Sequence, residues 1–480
     1  MGDGLRIYNT LTRQLEEFQP MEDQMVRFFV CGQTVYDDAH LGHAKAYINF
    51  DIVARWIRHL GYNLHYIQNI TDVDDKIIAR AKESNKDPTA LAREFESRFM
   101  EDMEKIGVKE NVDQYPRSHD YINEIRMQIE LLLKKGYAYF LDGDVYYDIS
   151  KFNDYTKLSG MKLEELEKHR IEPKEGKRNS YDFALWKASK EGEPSWKISL
   201  NPDGKEIILE GRPGWHIEDT AITHAIFGPQ YDLHGGAIEL VFPHHSNEIA
   251  QAEAAFGKKP FVKYWLHAGV LNIKGVKMSK SLRNFIKIRD VLLSYTAETL
   301  RLLICSTHYR KEMDYDENLI KNAGKRLSYL YAALGIFYNM HEGTSNKEGS
   351  EQIKTETTRF TYAFTKAMND DFNTPQALTE LTIMINTLRE FAETNNEIDT
   401  ETKSNALSSV LKMANTMGIL INESYKVEIS TTVLHLINER ERLRHDKKFE
   451  EADTLRDRLK NEFKIVLEDT EYGTVWYKEQ

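Results

Sequence analysis

A chain of 480 residues with 41% hydrophobic content exceeds what one core normally supports, so about two to four domains with real interiors are expected. Its formal net charge of −12 argues against a protein that coats nucleic acid indiscriminately, although a local basic surface is compatible with RNA binding. Cys31 and Cys305 cannot form a disulfide framework, no apolar run approaches the roughly 20 residues of a membrane span, and no charged, apolar leader opens the chain; it reads as a reduced, soluble, cytoplasmic protein.

In chain order, the first region reads as α/β. Val26 to Val30 suits a buried parallel strand, followed by the turn Cys31-Gly32-Gln33-Thr34 and then by His40-Leu41-Gly42-His43. Ile48, Ile52, Trp56 and Leu60 recur every fourth residue and predict a helix that Gly61 can end in a left-handed conformation. Leu64 to Ile70 looks like the next strand, completing a βαβ unit whose ligand belongs at the carboxyl ends of the strands. Thr71 and Asp74, directly after it, form a near capping box for a helix starting around Lys76, a reading preferred to catalysis.

From about Ile125 to Glu206 the pattern changes. Gly136 to Ile149 reads as a hairpin turning at Asp142-Gly143, and a lysine-rich stretch runs to Arg178, as in an insertion into a nucleotide-binding fold. The α/β pattern is expected to resume with Gly211-Arg212-Pro213-Gly214-Trp215-His216 and again near Tyr264 to Val270. Cys305 follows an apolar run and reads as core. After about Glu317 the chain reads as helical, with polar breaks at Glu342–Glu351 and Glu393–Thr402. Val433, Ile437, Arg440 and Arg444 stand at helical spacing before a closing strand near Gly473 to Tyr477.

Two motifs carry chemistry together that neither carries alone. His40 to His43 and Lys277-Met278-Ser279-Lys280-Ser281, about 235 residues apart, read as the halves of an ATP site that activates a carboxylate by adenylation. Attack of a carboxylate on the α-phosphate builds negative charge there and on the departing pyrophosphate, so preorganised donors and cations lower the barrier. His40 and His43 supply imidazole donors, and Lys277 and Lys280 supply charge from a loop. Gly42 has no side chain to keep a nucleotide from the backbone where a helix begins.

His244 and Glu248 stand four apart in a helical-looking stretch, pointing the same way as a shared metal would require, and Cys31 at a strand end is a third candidate ligand. On spacing alone, a helix-surface pair and a small buried cysteine is the better reading. A zinc ion with an open position would select a thiol substrate by coordinating it.

These residues resemble the cysteinyl-tRNA synthetase family of class I aminoacyl-tRNA synthetases nearly end to end. The resemblance runs through Ile7–Thr12, Cys31–His43, Asn69–Ile78, Asp182–Trp186, Gly211–Glu218, Phe242–Gln251, Lys277–Asn284, Met368–Pro375 and Ala452–Trp476. It implies an α/β, Rossmann-type catalytic domain (1–124 and 207–270) with a connective insertion (125–206) and a lysine-loop region (271–316). It further implies a helical tRNA-stem-contacting bundle (317–425) and a small mixed α/β anticodon-binding domain (426–480). The implied reaction joins L-cysteine to tRNA(Cys) through a cysteinyl-adenylate made from Mg-ATP, in a monomer. By the same resemblance His40, Gly42, His43, Lys277, Met278, Ser279, Lys280 and Ser281 meet ATP; Cys31, Gly32, Thr34, Trp215 and His216 face the substrate; and Trp476 stacks on a base, although a hydrophobic anchor is an equally good reading of that tryptophan.

Two departures stand out. Gln33 replaces a proline of the family pattern. Asp219 stands where the family places a zinc-ligating cysteine, so the implied metal set is Cys31, Asp219, His244 and Glu248, with one thiolate replaced by a harder carboxylate. Zinc is expected to be retained with Asp219 as ligand; His216 and His224 are the nearby substitutes. Three rival readings remain: a tRNA-independent ligase joining cysteine to an amino sugar, a catalytically silent RNA-binding paralogue, and a class I synthetase for another amino acid.

Overall fold

The computed structural model describes residues 4–161, 174–278, 285–426, 430–470 and 473–478. Val26 to Val30 lies within a ten-residue strand, β1 (Met25–Thr34). Helix α1 (Leu41–His59) follows and leads into β2 (Asn63–Thr71). The fourfold apolar spacing works as expected: Ile48, Ile52 and Trp56 are buried, and the chain leaves the helix through Leu60 and a left-handed Gly61 (φ 91°). Two later strands, β3 (Tyr231–Ala237) and β4 (Val262–Ala268), complete a sheet of order β2-β1-β3-β4, all parallel. Phe28, Phe29 and Val30 are buried, as a strand in a doubly covered parallel sheet requires. The strand order reverses direction at β1, which has β2 on one side and β3 on the other. A crevice therefore opens at the carboxyl ends of β1 and β3.

Helices α2 (Asp75–Glu83), α3 (Ile217–Phe227) and α4 (Ser246–Phe256) accompany this sheet. Asp74 caps α2 by accepting from the Lys76 amide at 2.8 Å, as the capping reading expects. Thr71 does not share that cap: its hydroxyl donates to Glu218 Oε1 at 2.7 Å. Lys45, buried on α1, donates to three main-chain carbonyls, those of Gly269 (2.6 Å), Lys311 (3.1 Å) and Tyr309 (3.2 Å). Burial lowers its pKa to about 8.

The insertion forms an antiparallel five-stranded sheet of Ala138–Leu141, Asp144–Tyr147, Phe183–Ala188, Ile207–Pro213 and Trp196–Leu200, in that spatial order. The predicted turn is present, with positive φ at both Asp142 (50°) and Gly143 (83°), the conformation that joins twisted strands tightly. The expectation that the α/β pattern resumes at Gly211 needs correction. Gly211 to Pro213 end the strand that pairs with Trp186–Ala188, and only from Ile217 does the chain return as a helix. The strands approach so closely there that a Cβ on Gly211 would lie 2.2 Å from the Lys187 carbonyl oxygen.

The chain divides into two compact units, one formed by Arg6–Val291 with Tyr309–Met313, the other by Met1–Leu5, Leu292–His308 and Asp314–Gln480. The second is helical: Ala297–Cys305, Glu317–Tyr338, Lys347–Asn369, Thr374–Thr394, Thr400–Met417, Thr431–His445 and Phe449–Phe463, closed by the hairpin Ile465–Thr470 and Gly473–Lys478. Cys305 is core, as expected. The polar break at Glu342–Glu351 is shorter than its composition implies, because Asn346 caps a helix from Lys347 that buries Ile353, Phe360 and Phe364. Arg440 is buried and grips both oxygens of Asp469 at 2.6 and 2.8 Å, tying its helix to the hairpin.

For Trp476 the structure favours the anchor over the base-stacking reading. It is only 5% exposed, and a Cβ on Gly335 would come within 3.1 Å of its ring, so the indole is wedged against the helix Glu317–Tyr338. A face packed this way cannot stack on a base; Trp476 is a hydrophobic anchor. Among the described residues no helix is long and apolar enough to cross a membrane.

Candidate active site

A cavity of about 480 Å³ occupies the crevice at the carboxyl ends of β1 and β3. One end of it is built by the start of α1. His40 is the N-cap: its Nδ1 accepts from the Gly42 amide at 3.1 Å, while His43 Nδ1 accepts from the His40 amide at 3.3 Å. Both imidazoles thus cap the start of α1. With each Nδ1 used as an acceptor, the ring proton resides on Nε2, which makes both imidazoles donors of fixed orientation. The rings stack at 3.8 Å, and burial holds His43 well below the usual histidine pKa, with His40 and Lys76 adding to the effect. Gly42 is required: a Cβ there would lie 2.9 Å from His40 Cε1 and 3.1 Å from Met278 Cε.

Cys31, Gly32, Thr34 and Trp215 line the same cavity, as the sequence reading expects. The Gly32 amide donates to Asn69 Oδ1 at 2.6 Å, and a Cβ on Gly32 would sit 1.6 Å from the Asn69 carbonyl oxygen. Trp215 stacks on His244 at 4.2 Å. His216 does not line the cavity. Its Nδ1 lies 2.9 Å from His244 Nδ1, so it orients a neighbour rather than facing a substrate. His224 stacks on Phe256 at 3.7 Å and is remote from this chemistry. Of the lysine loop, Met278 lines the cavity; the Lys277 backbone pairs with Asn272, while its side chain and Ser279, Lys280 and Ser281 lie outside the described residues.

Beneath Trp215 the structure brings together Cys31, Asp219 and the pair His244 and Glu248, from three separate parts of the chain, with one donor atom apiece within 4.8 Å of the others. Asp219 Oδ2 lies 3.0 Å from His244 Nε2 and 3.5 Å from Cys31 Sγ, and its Oδ1 accepts from Asn69 Nδ2 at 2.6 Å. The Cys31 thiol pKa is pushed up by burial and then by the Glu248 and Asp219 carboxylates, and burial raises that of Glu248 as well. Among the described residues neither Glu248 oxygen receives a hydrogen bond, although the side chain is fully buried and His244 Nε2 lies 3.1 Å from Oε1. An acidic group in that position costs several kcal/mol unless a cation completes it, roughly 2–7 kcal/mol even for a neutral polar group. A thiol, a carboxylate pair and an imidazole are a donor set that fits a divalent transition metal.

Three cavity or centre residues were not singled out from sequence. His234, on β3, and His245, the second histidine of Pro243-His244-His245, both point Nε2 at Cys31 Sγ, at 3.3 and 3.2 Å. Lys76 lines the cavity with its Nζ 5.6 Å from the Trp215 ring and 5.7 Å from that of Tyr36. A signal existed for the first pair, since one is followed by Gly235-Gly236 and the other sits beside a predicted ligand.

A parallel sheet with paired imidazoles at its switch point, an insertion after the first half and a helical second unit together define a class I aminoacyl-tRNA synthetase architecture. Residues 17–325 match the family of class I (C) tRNA synthetase catalytic domains, and residues 363–421 match the DALR domain. Among solved structures, the chain is similar in fold to Mycobacterium tuberculosis methionyl-tRNA synthetase in complex with methionyl-adenylate. The TM-score is 0.56 at 13% identity, covering 82% of this chain and 89% of that one. The LeuRS–tRNA–LeuAMS complex of Agrobacterium radiobacter K84 gives 0.57 at 10%, over 83% and 84%. Relatives described as cysteine–tRNA ligase are much nearer. That of Thermococcus gammatolerans is 43% identical with 98% of each chain covered, that of Aquifex aeolicus 41% with 99% of each, and that of Thermoplasma acidophilum 39% with 98% of this chain and all of its own. The chain belongs to the cysteinyl-tRNA synthetase family.

Proposed function

We propose that this protein is a cysteine–tRNA ligase: it activates L-cysteine with ATP, releasing pyrophosphate, and passes the cysteinyl group to the terminal adenosine of tRNA(Cys). The observation that carries this reading is one cavity with the His40–His43 donor pair at one end and Cys31 with Trp215 at the other. A cysteine carboxylate oxygen bonds to the α-phosphorus as the bond to the pyrophosphate oxygen breaks. The fixed Nε2 donors of His40 and His43 meet the charge that develops, and Lys277 and Lys280 complete the cationic side. Mg-ATP is the nucleotide substrate.

The metal of this reading is one zinc ion, held by Cys31, Asp219, His244 and Glu248. When bound it supplies a thiol-seeking Lewis acid under Trp215. Around it, Asn69 holds Asp219, His216 orients His244, and Trp215 stacks on His244 as a wall of the cavity. The protein acts as a monomer in the cytoplasm, its residues 317–425 meeting the tRNA stem and 426–480 the anticodon. Correspondence over nearly the whole length of tRNA-charging relatives supports this over a tRNA-independent cysteine ligase, and the intact histidine pair disfavours a silent paralogue.

Cysteine-dependent ATP–pyrophosphate exchange and cysteinylation of tRNA(Cys) test the proposal together. Exchange without charging would favour the tRNA-independent ligase, exchange with another amino acid a different synthetase, and no exchange a silent paralogue.

A further inference from the structure

The buried centre holds a second complete ligand set. Besides Cys31, Asp219, His244 and Glu248, the side chains of Cys31, His234, His245 and Glu248 also place one donor atom each within 4.8 Å of one another, all of them buried. The two sets share Cys31 and Glu248 and differ only in the pair that completes them.

The second pair is the better prepared. His234 Nδ1 lies 2.7 Å from the Tyr231 hydroxyl, and His245 Nδ1 lies 2.8 Å from His267 Nε2, whose Nδ1 in turn lies 2.8 Å from Thr10 Oγ1. In the tautomer that donates outward along both chains the ring protons sit on Nδ1 and each Nε2 lone pair faces Cys31, the outer arrangement that metal-ligating histidines need. His244 also has an outer partner, His216 Nδ1 at 2.9 Å, but its Nε2 is already engaged by Asp219 Oδ2 at 3.0 Å, with Glu248 Oε1 3.1 Å away.

Charge and softness favour the same pair. A thiolate, a carboxylate and two neutral imidazoles balance a divalent cation, whereas a thiolate, two carboxylates and one imidazole leave a net negative charge in a fully buried place. Two imidazoles also replace an imidazole and a hard carboxylate, which suits zinc. The pair lies deeper than His244: His234 stacks on the buried Trp265 at 4.2 Å, whereas His244 stacks on the cavity-lining Trp215. Gly236 makes room for it, since a Cβ there would come within 2.6 Å of His245 Cε1.

We propose that His234 and His245, with Cys31 and Glu248, form a second seat for the divalent cation of this centre, the one it occupies when no amino acid is bound. The proposal rests on the reading of the centre as a zinc site and assigns its resting ligands. Four protein donors close this seat. Asp219 meanwhile keeps its hydrogen bonds to Asn69 and His244.

Zinc-edge X-ray absorption on the full-length protein without amino acid tests it and needs no variant. One sulfur and two imidazole nitrogens are expected; a single imidazole overturns the proposal. Zinc retention against a competing chelator gives a second measure. Asp219→Asn is expected to hold zinc within about twofold of wild type, whereas His234→Gln and His245→Gln lose affinity about tenfold or more, as does Tyr231→Phe through its ring contact. The reverse order, with Asp219→Asn stripped and the histidine variants loaded, would sink the proposal and leave zinc at the other four residues. Wild-type protein that holds no zinc would remove both seats, yet cysteine-dependent exchange by that protein would leave the ligase assignment standing.

Discussion

Position 42 places a hydrogen where any other residue would place a carbon against His40. Gly42→Ala must displace that imidazole by a fraction of an ångström or more, because the new Cβ would lie 2.9 Å from His40 Cε1 and 3.0 Å from its Nδ1. Misplacement of a catalytic donor by about 1 Å costs on the order of a hundredfold. The expected outcome is a ten- to hundredfold loss of kcat/KM for ATP–pyrophosphate exchange, with zinc content unchanged; unaltered exchange kinetics would show that His40 does not act from this position. The residue scale is also where sequence reading reached furthest and then stopped. His40 and His43 stand out through their pairing with the lysine motif, whereas spacing alone left Cys31, His244 and Glu248 as a surface pair and a buried cysteine, and only the family resemblance made them a ligand set. His234 and His245 were not legible, because their meaning depends on Cys31, which lies on the neighbouring strand, and no spacing along the chain reports a contact across a sheet.

At the scale of elements, local chemistry accounts for most boundaries. Asp399, for example, starts the helix Thr400–Met417 by accepting from the Thr402 amide at 2.9 Å and from its hydroxyl at 2.6 Å. These hydrogen bonds lower the Asp399 pKa from 3.8 to about 2. A carboxyl whose pKa is depressed on folding stabilises the fold above its unfolded pKa and loses that contribution as pH falls through its folded one. Asp399→Ala is therefore expected to destabilise the helical unit by about 1 kcal/mol at neutral pH. The difference from wild type should shrink between about pH 4 and pH 2, as thermal melts followed by circular dichroism would record. The β1-α1-β2 unit, the Asp142-Gly143 turn and the start of the helical region at Glu317 follow from such local signals. The last strand of the insertion did not, because Gly211-Arg212-Pro213 reads as the point where the α/β pattern resumes. Only its pairing with Trp186–Ala188 makes it a strand. The stacking reading of Trp476 fails for a related reason: an aromatic near a chain end looks available for stacking until the bare Gly335 is found opposite it.

At the scale of the whole molecule, each unit has its own stability determinants, and two expected outcomes separate them. Chelation should lower the unfolding temperature of the unit that carries Cys31 and Glu248, since a ligand at a hundred times its Kd contributes about 2.7 kcal/mol. Circular dichroism melts with and without restored zinc measure this; coincident curves would mean the centre contributes nothing to the fold. Trp476→Ala should remove about 3–5 kcal/mol from the helical unit and leave cysteine-dependent pyrophosphate exchange intact. Loss of tRNA charging without any loss of stability would instead return Trp476 to a role in binding. The overall class of fold was legible because motif order along the chain fixes it. Division into units was less so, because Tyr309–Met313 belongs to the first unit although its flanking residues belong to the second.

That interleaving gives the Lys45 ammonium an unexpected standing. Two of its three carbonyl partners, Tyr309 and Lys311, come from the five-residue return, so a gene cut after Val291 would leave a buried cation with most of its acceptors missing. A chimaera of relatives that trades the helical half is expected to need this short thread from the same parent as Lys45.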